Sequence, residues 1–314
     1  MYAIGVDIGG TKIAAGVVDD AGRIVARTRR SSSALDVPAL DAAVVDACRE
    51  LAEEYEISAI GLAAPGFIGA DQATVLLTPN LPWRDHPLRD RVIEGLGTKV
   101  PVVVENDANA AGWAEFRFGV GRDVEDMVLL TIGTGLGGAV IAGGRLVLGA
   151  WGVAAEVGHM RVVPGGEQCG CGLRGCWEQY ASGSALVRQA QSAAVVEAPR
   201  AGRLLELAGG SVAGITGPLV TQAALEGDPL AGELLAEVGR WIGEGSASVA
   251  AVLDPALVVV GGGVAAAGEL LLRPARQAFG THLSARGYRP EARIELAAMG
   301  NDAGIVGAAD LARR

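Results

Sequence analysis

The chain opens as an apolar run, a glycine turn and a second apolar run: 3–8, then Gly9, Gly10, Thr11 and Lys12, then 13–18. Short β-branched runs around turn residues predict a hairpin, and 23–27 supplies a third strand. Asp36 before Pro38 marks a helix start, and Leu40, Val44, Ala47 and Leu51 carry a helical period to about Tyr55. Strands follow at 59–64 and 100–104, the second feeding a helix through Glu105, Asn106 and Asp107. The opening design then returns as strand 127–132, turn 133–138 and strand 139–142, a weak internal duplication. From 182 to 252 the pattern is helical. Its clearest element starts with Asp228 as cap and Pro229, and carries a stripe of Leu230, Leu234, Val238, Trp241 and Ile242. A strand at 256–260 ends in Gly261, Gly262 and Gly263 and opens a helix, a short strand follows at 294–297, and Asp302 caps a last helix to about Ala312. Alternating strands and helices predict an α/β protein, and two similar hairpins predict two related sheets facing a cleft.

The length of 314 residues suits two domains. Gly accounts for 47 of them, about twice the usual share, which points to turns with a local purpose. A net charge of −10 argues against a grip on DNA or RNA. The longest uncharged stretches are broken by glycines, so no membrane span is expected. The strand pattern begins at the first residues without a leader-like stretch, which predicts a cytoplasmic protein. Cys48 reads as core packing, whereas Cys169, Cys171 and Cys176 bunch within eight residues.

Three glycine-rich turns compete as phosphate cradles, because backbone amides with no side chain in the way can meet phosphate oxygens. Gly133-x-Gly135-x-x-Gly138 matches a dinucleotide fingerprint as a string, but a strand follows it where the fingerprint needs a helix. Gly261-x-Gly263 stands between strand and helix, yet no acidic residue follows to hold a ribose. The turn after Asp7 is more particular: a carboxylate at a strand end, two residues before a glycine pair and a hydroxyl, can hold Mg²⁺ through water while the turn takes phosphate. Asp7, Gly9, Gly10, Thr11 and Lys12 resemble the phosphate-1 loop of the sugar kinase, actin and heat-shock-chaperone superfamily. Thr134 and Gly135 resemble its phosphate-2 loop, and Gly261, Gly262 and Gly263 its adenosine segment.

His159-x9-Cys169-x-Cys171-x4-Cys176 offers one imidazole and three thiols among glycines, a Cys3His pattern for structural zinc. Four protein ligands leave no open position, so the ion is expected to shape a loop rather than to activate water. Glu156 and Glu178 ride on the same segment, and carboxylates on a rigid loop suit sugar hydroxyls. The imidazole can serve twice, one nitrogen on zinc and the other donating to a hydroxyl. A lone glutamate is more often a solvated surface charge, and Asp107 alone could be a helix cap.

The segments around Glu156 and His159, the cysteine loop through Glu178, and 181–183 resemble the ROK family, which groups bacterial sugar kinases with transcriptional repressors. With Pro79, Asn80, Leu81, Trp83 and the run from Glu105 to Ala110, the likeness is to its glucose-phosphorylating members. The resemblance implies a two-domain actin-like ATPase (ribonuclease H-like) fold with an interdomain cleft. It implies a small domain over 1–110 completed by helix 301–314, and a larger domain over 111–300 with the zinc loop. It implies ATP-dependent phosphorylation of glucose at the 6-hydroxyl, with Mg²⁺ accompanying ATP and a homodimer or homotetramer as the assembly. Asp107 is then the catalytic base, Asn106, Glu156, His159 and Glu178 hold the sugar, and Asn80 shapes its pocket. A kinase for N-acetylmannosamine or fructose and a non-catalytic sugar-sensing regulator are the alternatives. The acidic chain, with the first turn starting at residue 7, leaves little room for a repressor's DNA-binding module.

Overall fold

The computed structural model describes residues 1–32 and 36–314, folded as two compact units. The first comprises 1–125, 139–155 and 298–314, the second 126–138 and 156–297.

In the first unit the opening pattern forms β1 (Tyr2–Ile8), β2 (Lys12–Val18) and β3 (Ile24–Ser31). Helix α1 (Val37–Ala52) follows, capped by the Asp36 carboxylate, which accepts from Ala39 N. Next come β4 (Ile57–Ala64), β5 (Phe67–Ile68), β6 (Val75–Leu77), β7 (Arg84–His86), α2 (Leu88–Leu96), β8 (Val102–Asn106) and α3 (Asp107–Arg117). The main sheet runs β3-β2-β1-β4-β8, antiparallel across the meander and parallel from β1 through β4 to β8. Leu40, Val44, Ala47 and Leu51 are buried in one core with Ile4, Val6 and Ile13, as the helical period requires. The three short strands β5–β7 form a separate antiparallel sheet that the sequence pattern did not announce. Each is too short to show a period of two.

The remaining strands are β9 (Met127–Ile132), β10 (Leu136–Ala142) and β11 (Arg145–Leu146). Helices α4 (Gly183–Val196), α5 (Gly202–Leu207), α6 (Gly217–Leu225) and α7 (Pro229–Leu253) lead to β12 (Leu257–Gly261), α8 (Glu269–His282), β13 (Arg293–Leu296) and α9 (Ala303–Leu311). The second sheet runs β11-β10-β9-β12-β13, which repeats the strand order of the first and gives the duplication a structural form. Asp228 caps α7 through Ala231 N at 2.8 Å. Leu230, Val238 and Ile242 are buried there, but Leu235 joins them while Leu234 and Trp241 are half-buried. A second stripe explains the shift: at Gly239 and Gly243 a Cβ would overlap Leu271 O and Ala275 O, so bare backbone lets α8 press against α7. Among the described residues no helix is long and apolar enough to cross a membrane.

Helix α9 returns to the first unit and lies directly on β1 and β4. At Gly5 and Gly61 a Cβ would overlap the carbonyls of Ile305 and Ala308. Gly61→Ala is expected to cost about 3 kcal/mol, the upper range for overpacking, because backbone rather than a side chain blocks the site. A thermal melt checks it, and an unchanged midpoint counts against this packing. Helix α3 belongs to the first unit, which also takes in 139–155. Trp113 Nε1 donates to Asp310 Oδ2 on α9 at 2.8 Å, and Gly307 leaves room for the Ala110 carbonyl. Asp302 stands at the cap position of α9 but in helical conformation (φ −87, ψ −15) and makes no capping bond. Both its oxygens instead accept from the Arg27 guanidinium at 2.6 and 2.7 Å, a bidentate pair that aims the side chain away from the helix amides.

Candidate active site

The turn after Asp7 is held from both sides. Gly9 N donates to Lys12 O at 2.8 Å, Ser32 N to Thr11 O at 3.2 Å, and Ser32 Oγ to Gly9 O at 2.5 Å. Asp7 stands one residue before the end of β1, half-buried; burial pushes its carboxyl above the ordinary value, against the pull of Lys12. It fits because α9 carries Gly304 there: a Cβ would stand 2.9 Å from the carboxyl carbon. Asn80 is exposed beside the same turn, its Cβ 3.5 Å from where a Gly10 Cβ would be. Its loop is pinned by Thr78 Oγ1, which donates to Leu81 O and accepts from Leu81 N. Beyond it, buried Trp83 donates to Asp41 Oδ1 at 3.2 Å and stacks on His86, which contacts that oxygen at 2.9 Å.

The joint of β8 and α3 sorts its polar residues differently from their order in sequence. Asn106, not Asp107, is the cap: its Oδ1 accepts from Asn109 N at 3.0 Å while its Nδ2 donates to Gly66 O at 2.9 Å. Asp107 is the first helical residue, half-buried, with Oδ1 accepting from Ala108 N at 2.9 Å. Beneath them lies buried Glu105, which accepts from Asn106 N, Asn109 Nδ2 and Gln72 Nε2 at 2.8 to 3.0 Å. Burial raises its carboxyl and those three bonds lower it. Glu105 and Asn109 stand four apart in the motif and could have been paired from sequence. Gln72, distant and held at φ +49, gave no signal.

In the second unit the turn after β9 is pinned by the start of α4: Gly183 N donates to Gly133 O at 2.8 Å and Ser184 N to Thr134 O at 3.2 Å. Gly262 (φ +85) can only be glycine, since a Cβ would stand 2.5 Å from Ile132 O. The structure thus brings Thr134 and the 261–263 turn together. They border a cavity of about 500 Å³ lined also by Ser184, Arg188, Thr221 and Val264.

His159, Cys169, Cys171 and Cys176 present donor atoms within 4.8 Å of one another. Cys171 Sγ and Cys176 Sγ lie 3.6 Å apart. In a tetrahedron with Zn–S bonds of ~2.3 Å the sulfurs would stand ~3.8 Å apart, so the set fits structural zinc. His159 turns Nδ1 to the thiols, 3.7 Å from Cys169 Sγ. Cys48 is buried in the core of the first unit, its thiol pushed up to about 12. Glu178 Oε1 lies 2.9 Å from Cys169 Sγ and 3.9 Å from His159 Nδ1, and Oε2 lies 2.7 Å from where a Gly135 Cβ would be. Burial raises the Glu156 carboxyl, with the His159 imidazole lowering it and the Glu178 charge raising it.

The loop is seated on α7. Trp177, next to Cys176 and Glu178, is fully buried, donates to Trp241 O at 2.8 Å, and occupies the space left by Gly245. Gly245→Ala is expected to destabilise the fold by about 2 kcal/mol and to weaken metal retention, because the added methyl collides with the indole. Melting and metal content together check this; a variant with both unchanged would show that the indole does not seat the loop.

Two sheets of the same strand order, each opening on a hairpin with a glycine turn, define a two-domain actin-like ATPase fold of the sugar-kinase type. The ROK family model matches residues 3–314, and the chain belongs to the ROK family. It is 47% identical over 314 residues to a curated glucokinase from Streptomyces coelicolor, covering 99% of this chain and 97% of that one. It is 33% identical over 321 residues to the N-acetylmannosamine kinase of Escherichia coli, covering 100% and 99%. A ROK family glucokinase from Streptomyces griseus, solved in complex with glucose and AMPPNP, superposes with a TM-score of 0.89 at 48% identity over 100% of this chain and 99% of that chain.

Proposed function

We propose that this protein transfers the γ-phosphoryl group of MgATP to the 6-hydroxyl of glucose, giving glucose 6-phosphate and ADP. The observation that carries the reading is Glu178 set beside His159 and the cysteine donors, on a segment that also carries Glu156, in the unit that holds the glycine-lined cavity. Likeness to the Streptomyces griseus glucokinase complex supports glucose and ATP as the ligands.

In this reading Glu156, Glu178 and the His159 nitrogen turned from the thiols receive the sugar hydroxyls. Asn106, already a cap, offers its remaining donor hydrogen, and Asn80 borders the pocket. Asp107 accepts the 6-hydroxyl proton as that oxygen attacks the γ-phosphorus and the bond to the bridging oxygen of ADP breaks. Gly9, Gly10, Thr11, Lys12, Thr134 and Gly135 cradle phosphates, Asp7 holds Mg²⁺ through water, and Gly261, Gly262 and Gly263 border the adenosine. His159, Cys169, Cys171 and Cys176 would hold zinc, which would fix the loop without entering the phosphoryl transfer. A homodimer or homotetramer in the cytoplasm completes the proposal. ADP release measured over a panel of hexoses tests it: glucose is expected to give the highest kcat/KM. Faster turnover of N-acetylmannosamine or fructose overturns the sugar, and sugar binding without ADP release makes the protein a sensor.

A further inference from the structure

The helix behind the 500 Å³ cavity also touches the sugar-facing loop. Ser184, Val187, Arg188 and Gln191 line the cavity from one face of α4, while Leu186, Ala190 and Ala194 bury the other. Helical side chains lean toward the amino terminus. Arg188 accordingly reaches back over the start of α4, where its guanidinium donates to the backbone oxygen of Gln179 and, at 3.3 Å, to Gln179 Oε1. The Gln179 amide is thereby oriented: with Oε1 turned to Arg188, Nε2 faces Glu178 Oε1 at 3.4 Å. Among the described residues, Glu178 otherwise meets the side chains of Cys169 and His159 and the turn at Gly135.

We propose that Arg188 and Gln179 are positioning residues that set the Glu178 carboxylate for sugar recognition, Arg188 by fixing the Gln179 amide and Gln179 by donating to Glu178. The inference rests on the reading of Glu178 as a sugar ligand. Neither residue belongs to the metal-ligand set, and only Arg188 lines the cavity. Gln179 variants therefore separate effects on the sugar from effects on the nucleotide.

Glucose and AMPPNP dissociation constants and zinc content, measured on Gln179→Ala, Gln179→Glu, Arg188→Lys and Glu178→Gln, test it. Gln179→Ala is expected to weaken glucose binding about fivefold, the size of one hydrogen bond, with AMPPNP affinity and zinc unchanged. Gln179→Glu keeps an acceptor for Arg188 but removes the donor to Glu178 and sets a like charge beside it, so it should weaken glucose by more than about tenfold. Arg188→Lys keeps one donor and should fall between wild type and Gln179→Ala. A scaffold role alone predicts the reverse order, with Glu better tolerated than Ala, and that order overturns the proposal. So does zinc loss in Gln179→Ala, or wild-type glucose affinity in both Gln179 variants while Glu178→Gln binds weakly. If Glu178→Gln itself binds glucose normally, the sugar-site reading fails first.

Discussion

Asp107→Asn is expected to lower kcat by about 10²- to 10⁴-fold while glucose binding and folding stay close to wild type. The substitution keeps the size of the side chain and its capacity to accept from Ala108 N, the contact the carboxylate makes at 2.9 Å. It removes the negative charge and with it the ability to take a proton. The helix start does not depend on it, because Asn106 supplies the capping oxygen and Glu105 holds Asn106 N and Asn109 from below. Loss of a negative charge at the first helical position costs well under about 1 kcal/mol. A structural role would give the opposite pattern: a lowered melting point with turnover preserved. The measurement is kcat and the glucose dissociation constant on one preparation, beside a thermal melt. Full turnover in the variant would falsify the base assignment.

What the sequence made legible divides along a physical line. The helix starts at Asp36 and Asp228 were readable because each is closed by a bond three residues long, as in the Asp228 bond to Ala231 N, and the glycine turns and the Cys3His loop because their residue types are contiguous in sequence even where distant groups such as Ser32 and Gly183 hold them. The carboxylate of Asp302 was misread because its stronger partner, Arg27, lies 275 positions away. The cap that the sequence offered as an alternative role for Asp107 is supplied by Asn106 for a related reason. Either side chain can cap, and the choice fell to Asn106, whose amide is also held by the Gly66 carbonyl forty residues upstream. Gln72 and the hole at Gly245 had no local signature, since what makes them matter is Glu105 and Trp177 arriving from elsewhere in the chain. The same holds for Gly5 and Gly61, whose missing side chains are explained only by α9 lying across them. Local chemistry named the candidate residues; long-range packing decided which neighbour each one serves.

Removing the metal should separate the two ligands of the reaction. Cys171→Ser is the cleanest route, because Cys171 is the exposed member of the ligand set and a serine hydroxyl is a poor substitute for a thiolate. Zinc content is expected to fall from one per chain toward zero. Glucose affinity should fall at least about 100-fold, since displacing Glu156 and Glu178 loses two hydrogen bonds to charged groups, each worth ~1.5 kcal/mol or more. AMPPNP affinity should stay within about twofold, because the turns that border the proposed nucleotide cavity are held by bonds outside the loop: Gly183 N and Ser184 N hold Gly133 O and Thr134 O, and Gly262 packs on Ile132. The melting point should drop modestly, as Trp177 remains seated at Gly245 even when its neighbours lose their ion. Calorimetric titration of each ligand against wild type and variant, with metal analysis of the same samples, decides the matter. Equal losses for both ligands would mean that the ion supports the whole unit rather than one loop, and a zinc-free chain with ordinary glucose affinity would remove the loop from sugar recognition altogether.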